Sequence, residues 1–385
     1  MIKILKDIFQ DCNINFLIGA GLSAPYLKIL SNLENLLTEL DKSSLQEADK
    51  KIIRTSLYKK YFNDVISKNI DVLNNNTNAN TVISQYHTFL KLMNSLLLLR
   101  KSTLLHKEVN IFTTNIDIFL EKALEDLGLE YNDGFNGRFH PAFSTSNFKK
   151  LHSKKSSYYD NTAEIPVFNL LKLHGSITWL LNKEGDIEFS HDLKNVKEIK
   201  NKSIPRDQVL DIPENATITS LQKAIGKKIV GTSMEKFMKS YEKLLIVNPT
   251  KEKFKYTLLN QNYYELLRIY SNELEKENSV LFVMGFSFTD EHIREMTLRS
   301  ANSNPTLKIY IIAHSSESGK KIKDGFGSYK IKNSNIEFIL PDKEQSKGAP
   351  SKDKFKYDFS LINREIFSKL LMEIDETELK QIENK

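Results

Sequence analysis

Four short segments hold the residue types that phosphate binding and proton transfer use. The first is Gly19, Ala20, Gly21, Leu22, Ser23 and Ala24. Small residues after a strand let backbone N–H groups approach a phosphate at a helix N-terminus, and the spacing also fits the dinucleotide pattern G-x-G-x-x-(G/A). A tight turn that binds nothing accounts for it equally well. The second segment, Thr113, Thr114, Asn115, Ile116 and Asp117, places an amide and a carboxylate close together. Helix capping by Asn115, with Asp117 in the first turn, is its structural explanation. The third is His174 and Gly175, whose imidazole could act as a base, although a lone histidine at a strand end is more often structural. The fourth is Gly285, Phe286, Ser287, Phe288, Thr289 and Asp290, which could line a ligand or cap a helix. Each has an ordinary reading alone, and their occurrence in one order, each after an expected strand, points to one site.

The elements that would position them follow from periodicity. Ile4, Leu5, Ile8 and Phe9 are spaced as one helical face, and residues 14–18 form an apolar run ending at Gly19. Residues 27–73 read as charged helices closed by an Asn-rich loop at 74–80, and residues 82–105 as one long helix. Residues 109–112 predict a second strand, leading into a helix that carries Ile116, Leu120, Ala123, Leu124 and Leu127 and stops at Gly128. A third strand spans 167–173, while 131–164 and 182–240 show no assignable period. The pattern then returns with strand 244–247, helix 258–274, strand 280–284, helix 290–299 and strands 307–313 and 336–340. Strands alternating with helices predict an α/β fold: a Rossmann-like, mostly parallel sheet covered by helices, with ligands bound beyond the carboxyl ends of the strands. The expected division is a nucleotide-binding domain over 1–340, with a helical insertion at about 41–108, and a C-terminal extension over 341–385. That extension comprises a linker and one amphipathic helix that needs a partner surface, for oligomerisation or a second protein.

Composition narrows the class. With 385 residues, 40% apolar and 27% charged, the chain is neither disordered nor fibrous. Its net charge of +6 is far from the dense basic stripe of dedicated nucleic-acid binders. Lys149, Lys150, Lys154 and Lys155, with Lys194, Lys197, Lys200 and Lys202, read as solvated faces, so nucleic acid is expected to matter only indirectly. Tyr263, Tyr264 and Tyr270 read as packing residues, and Trp179 as core. The single cysteine, Cys12, excludes a disulfide framework and any Cys-rich zinc site within one chain. No apolar run approaches the ~20 residues that span a bilayer, and no signal-peptide stretch is legible, so the expectation is a cytoplasmic protein without a membrane role.

Taken together, the four segments resemble those of the sirtuin-like (SIR2) superfamily. Gly19 to Ser23 in the order GAGLS looks like its GAG-x-S phosphate loop, TTNID ending at Asp117 like its T-x-N-x-D element, and KLHGS from Lys172 carries its His-Gly pair. GFSFTD from Gly285, followed by His292 and Ile293, is similar to the late element of the bacterial SIR2-like branch, as is Pro249, Thr250 and Lys251 before a Tyr-rich helix. Protein-deacylating sirtuins carry a four-Cys zinc ribbon that this chain cannot build, which disfavours deacylation.

The resemblance implies an NAD+ glycohydrolase (NADase) that takes NAD+ as substrate, needs no zinc, and depletes NAD+ in anti-phage defence. It further implies a homo-oligomer and a separately encoded partner such as a HerA-type ATPase or an Argonaute-type sensor. On the same basis Gly19, Ala20 and Gly21 hold the pyrophosphate and Ser23 adds a hydroxyl. Asn115 orients the ribose or the attacking water, Asp117 positions the nicotinamide side, and His174 is a general base or ribose partner. Thr114 and Asp290 join the NAD+ contacts, with Gly285 and Ser287 lining the adenosine half. Two other readings stay open. One is a nicotinamide-dependent dehydrogenase with Glu39 or Asp41 near the ribose, against which Pro25 weighs by interrupting the turn-to-helix passage. The other is a non-catalytic nucleotide-sensing or assembly module, supported by the helical insertion and the C-terminal helix.

Overall fold

The structure, a computed structural model, describes residues 2–24, 26–29, 32–102, 104–248, 261–327, 329, 331–341 and 356–375. Pro25, the segment of Pro249, Thr250 and Lys251, and the expected linker at 343–354 lie outside the described residues.

Seven strands form the central sheet: β1 (Asn13–Ile18), β2 (Glu108–Thr113), β3 (Glu130–Asn132), β4 (Val167–Lys172), β5 (Ser279–Met284), β6 (Lys308–Ile312) and β7 (Ile336–Ile339). Their order is β7-β6-β5-β1-β2-β4-β3, and every neighbouring pair is parallel. From β1 the chain builds outward through β2, then crosses to the opposite side for β5, β6 and β7. The reversal falls between β1 and β5, where open α/β sheets leave a crevice at their carboxyl ends. Both faces are covered, so the central strands are largely apolar on both sides rather than alternating.

Successive residues of β1 face opposite layers. Phe16 and Ile18 join a core with α1 (Ile2–Asp11), α2 (Leu33–Lys42), α3 (Glu47–Tyr61), α4 (Asn80–Leu98) and α5 (Phe119–Asp126). Leu17 joins the other core, built with α6 (Gln261–Glu275), α7 (Glu291–Ser303) and α8 (Ser316–Phe326). The C-terminal helix α9 spans 359–375, with a π-helical centre at Asn363–Ser368. The partner surface this helix was expected to need lies within the chain. Phe367 is fully buried, with its ring 5.9 Å from Phe16, 6.1 Å from Phe282 and 5.7 Å from Phe89.

The structure departs from periodicity in places with clear causes. The long helix expected to reach 105 ends at Leu98, and Leu104 is 91% exposed. Residues 244–247 form no strand; Ile246 makes a single antiparallel bridge to Gly175. β3, three residues long, and α8, rich in Lys and Gly, carry too few apolar residues to show a period. The region 131–164 contains a hairpin of His152–Lys155 with Thr162–Ile165. It also supplies two strands of a small antiparallel sheet completed by Trp179–Leu181 and Ile187–Phe189.

A polar row crosses the sheet. Asn15, Asn110, Asn169 and Asn132 are in register on β1, β2, β4 and β3. Each buried amide donates to the next, Asn132 to Asn169 at 2.9 Å, Asn169 to Asn110 at 3.0 Å and Asn110 to Asn15 at 2.9 Å. Asn15 then donates to the Val280 carbonyl of β5 at 3.2 Å.

Candidate functional site

The ends of β1 and β5 meet through glycine backbones. Gly19 N–H donates to Met284 O at 3.0 Å and Gly21 N–H to Gly285 O at 2.9 Å. A Cβ on Gly19 would stand 2.5 Å from Gly285 O and 2.7 Å from Phe286 Cα. Gly285 adopts φ +63°, where its own Cβ would meet Leu22 N at 2.7 Å. These glycines permit a close approach of two turns that no larger residue allows. Gly19→Ala is expected to cost about 1–3 kcal/mol, because both obstructing atoms are backbone. The urea midpoint reads this directly, and an unchanged midpoint would show that the turns part freely.

The phosphate loop differs from its expected form. Residues 20–22 make one 3-10 turn, and among the described residues the next α-helix begins at Leu33. The N–H groups of Leu22 and Ser23 close this turn on Gly19 O and Ala20 O, so together with Gly19 and Gly21 four N–H groups are already paired. Ala20 remains exposed at the strand ends beside half-buried Gly21 and Thr114, while Ser287 is exposed on the facing turn. Ser287 and Thr289 hydroxyls bond each other at 3.1 Å.

Ser23, expected on the phosphate, is instead 1% exposed and donates its proton to Asp117 Oδ2 at 2.7 Å. Its oxygen accepts from Asn115 Nδ2 at 3.4 Å and lies 3.0 Å from the Tyr86 hydroxyl. Asn115 caps no helix, since α5 begins only at Phe119 with Ile118 as its N-cap. The backbone N–H of Asn115 is held by the Thr113 hydroxyl at 3.0 Å, and Thr113 in turn donates to Ile18 O at 2.8 Å. The amide is 6% exposed, and among the described residues its Oδ1 has no hydrogen-bond partner. A buried acceptor left open in this way is the strongest local indication of a missing ligand atom.

Asp117 is buried, which pushes its carboxyl above the usual range, while Lys172 and the Ser23 hydroxyl pull it back. Its Oδ1 accepts from Phe119 N–H at 3.3 Å. Beneath it lies a buried ion pair the sequence reading did not assign. Lys172 Nζ donates to the Asp117 carbonyl, to Glu121 Oε1 at 2.6 Å and to Ser176 Oγ at 3.4 Å. Burial likewise raises the Glu121 carboxyl, opposed by Lys172. One ammonium thus ties the turn after β2 to the turn after β4.

His174 and Asp290, from separate segments, meet: His174 Nε2 lies 3.1 Å from Asp290 Oδ2. Asp290 also caps α7, accepting from Ile293 N–H at 3.4 Å. The imidazole edge therefore stands beside a buried carboxylate at the strand ends. Gly175, at φ +74°, lets the chain turn under Leu245 O, which a Cβ would meet at 2.1 Å. Trp179 is core, as expected, and stacks 6.1 Å from the buried Tyr263. Tyr270 is also buried, whereas Tyr264 is 48% exposed and does not pack.

Tyr86, Lys172 and Glu121 are therefore the site residues that sequence reasoning missed. A lysine ending an apolar strand was the one available signal. A cleft of about 510 Å³ begins at Ala24, next to Ser23, and continues along Leu27, Leu36, Lys60 and Pro213. Among the described residues no cluster of three or more His, Cys, Asp or Glu could hold a metal ion, and no helix is long and apolar enough to cross a membrane.

A profile of the SIR2-like domain matches residues 109–339, well over half of the 385-residue chain. The chain belongs to the SIR2-like family. The match takes in Asn115, His174 and Gly285 and begins after the Gly19 loop. No curated protein matches the chain. Among solved structures, one described as "Structural Basis for the Mechanism and Regulation of Sir2 Enzymes" aligns over 100% of this chain and 99% of that one, at 12% identity and a TM-score of 0.37. That likeness is too distant to argue from.

Proposed function

We propose that this SIR2-like chain hydrolyses the N-glycosidic bond of NAD+, releasing nicotinamide and ADP-ribose. The observation that carries the reading is the buried Asn115 amide, whose Oδ1 stands open beside the switch point of the sheet. The nicotinamide is already cationic, so cleavage needs orientation and charge stabilisation more than a strong acid. As the bond stretches, positive charge grows on the ribose, and fixed dipoles aimed at it lower the barrier. On this reading Asn115 Oδ1 accepts a hydrogen bond from a ribose hydroxyl or the attacking water. On this reading His174, whose imidazole lies beside Asp290, takes up the water's proton. Asp117 puts negative charge near the cationic half, while Gly19, Ala20 and Gly21 offer the pyrophosphate a nearly side-chain-free surface. Deacylation fits poorly, since Cys12 alone cannot build a zinc ribbon.

The dehydrogenase reading loses its footing in two places. Its glycine turn should lead into an α-helix, yet residues 20–22 form a 3-10 turn. Its ribose acid should follow the second strand, yet Asp41 lies in α2, ion-paired to Arg54 at 2.5 Å. NAD+ depletion in phage defence, a homo-oligomer and a separately encoded partner belong to the same proposal and rest on family resemblance.

The test is incubation of the purified chain with NAD+ at several protein concentrations, with nicotinamide and ADP-ribose separated by chromatography. Equimolar release of both supports glycohydrolase action, and a steep concentration dependence supports activation by assembly. NAD+ binding without either product would instead favour the non-catalytic sensing module.

A further inference from the structure

Resting on the NAD+ hydrolase reading, we propose that Tyr86 of α4 is a positioning residue that fixes the orientation of the Asn115 amide through Ser23. A serine hydroxyl has one proton to give and two lone pairs to fill. At Ser23 the proton lies on Asp117 Oδ2 at 2.7 Å. The Tyr86 hydroxyl at 3.0 Å and Asn115 Nδ2 at 3.4 Å are the two groups in reach of the lone pairs, so both donate. The count closes only with the Asn115 nitrogen turned inward. Rotating the amide by half a turn would set Oδ1 against an oxygen whose proton is already engaged, two acceptors face to face. Oδ1 is thereby kept as the open acceptor.

Tyr86 is itself rigidly held. Its ring is fully buried, stacks on Phe119 at 5.5 Å with an 8° interplanar angle, and meets Phe359 of α9 edge-on at 5.0 Å. Asn363 of α9 donates to the carbonyl of the preceding residue, Gln85, at 3.0 Å. The helical insertion and the C-terminal helix thus act together on one amide at the strand ends. Without the phenol hydroxyl, one lone pair of Ser23 is vacant, so a water can enter or Asn115 Nδ2 can shift toward it.

Tyr86→Phe keeps the ring and removes only the donor. It is expected to lower kcat for NAD+ cleavage by 10-fold or more, with KM within about twofold and the melting temperature nearly unchanged. In a Ser23→Ala background, where the relay is already cut, the same substitution should add less than a twofold loss, because it acts through Ser23. A folded Tyr86→Phe with unchanged kcat overturns the proposal, as does an undiminished effect in the Ser23→Ala background. If wild type itself cleaves no NAD+, the hydrolase reading fails, and the Tyr86→Phe crystal structure decides the positioning. Ser23 and Asn115 unmoved, with no water entering, would overturn it; a displaced Asn115 amide or a new water on Ser23 would support it.

Discussion

Asn115→Ala is expected to reduce NAD+ hydrolysis by about 10²–10³-fold, the usual cost of deleting one oriented dipole from a polar transition-state site. The side chain's polar partners are Ser23, at a long 3.4 Å, and the Tyr86 hydroxyl, so its loss leaves the apolar core intact. The peptide position is kept by Thr113, which holds the Asn115 N–H independently of the side chain. The melting temperature should therefore move by only a few degrees, and circular dichroism with a timed nicotinamide assay reads both quantities on one preparation. Turnover at the wild-type rate would remove Asn115 from the mechanism and with it the main support for the hydrolase reading. His174→Ala offers a second view of the same chemistry, since it deletes the proposed base while Asp290 continues to cap α7.

Lys172→Met has the largest expected effect on folding. The ammonium is 5% exposed and bonds three groups, so its removal strands the Glu121 carboxylate in the interior and releases the Asp117 carbonyl. Breaking a buried pair from one side costs about 3–5 kcal/mol, while replacing both partners by apolar groups is often neutral. Lys172→Met alone should therefore lower the urea midpoint sharply, and Lys172→Met with Glu121→Leu should recover much of it. The pH dependence has a definite sign. Burial already raises the Glu121 carboxyl, and losing Lys172 raises it further. Folding then favours the protonated form, so the deficit of the single variant is smallest in acid and grows as the pH rises through the raised value. A single variant as stable as wild type at neutral pH would show that Glu121 is solvated or neutral, contrary to its burial.

The sheet was legible because buried parallel strands are short apolar runs bounded by Gly, Asn or His, and six of its seven strands stand out in that way. The four chemical segments were legible for the same reason, since each follows a strand. Their internal wiring was not. Asn115 and Asp117 looked like capping residues because a polar pair before an apolar stripe usually is one, yet α5 starts two residues after Asp117. Ser23 looked like a phosphate ligand because hydroxyls in glycine loops often are, while the fold turns it inward onto a carboxylate. Tyr86 sits in a helix stripe with Phe89 and Met93, where a phenol reads as packing and nothing local announces its hydroxyl's partner. Glu121 lies on the first turns of a helix, where acids are ordinary dipole partners. All these pairings join residues at least 50 positions apart, Lys172 with Glu121 and Ser23 with Tyr86 among them, and periodicity carries no information at that range.

The asparagine row across β3, β4, β2, β1 and β5 runs in one direction, from an amide on the outermost strand to a main-chain carbonyl beyond the centre. Apolar strands by themselves are poor at telling one neighbour from another, since a Val or Leu run slid by two residues still buries the same kind of surface. The row removes that tolerance. A strand slid by two places, or inserted in the wrong order, would leave at least one amide facing hydrocarbon, at about 1–3 kcal/mol for each unsatisfied group. The penalty falls on compact mispaired states rather than on the unfolded chain, where every amide is hydrated. The row therefore works as a proofreader of strand order: it rejects near-native decoys and so guarantees that the ends of β1, β2, β4 and β5 bring their four turns to the same crevice.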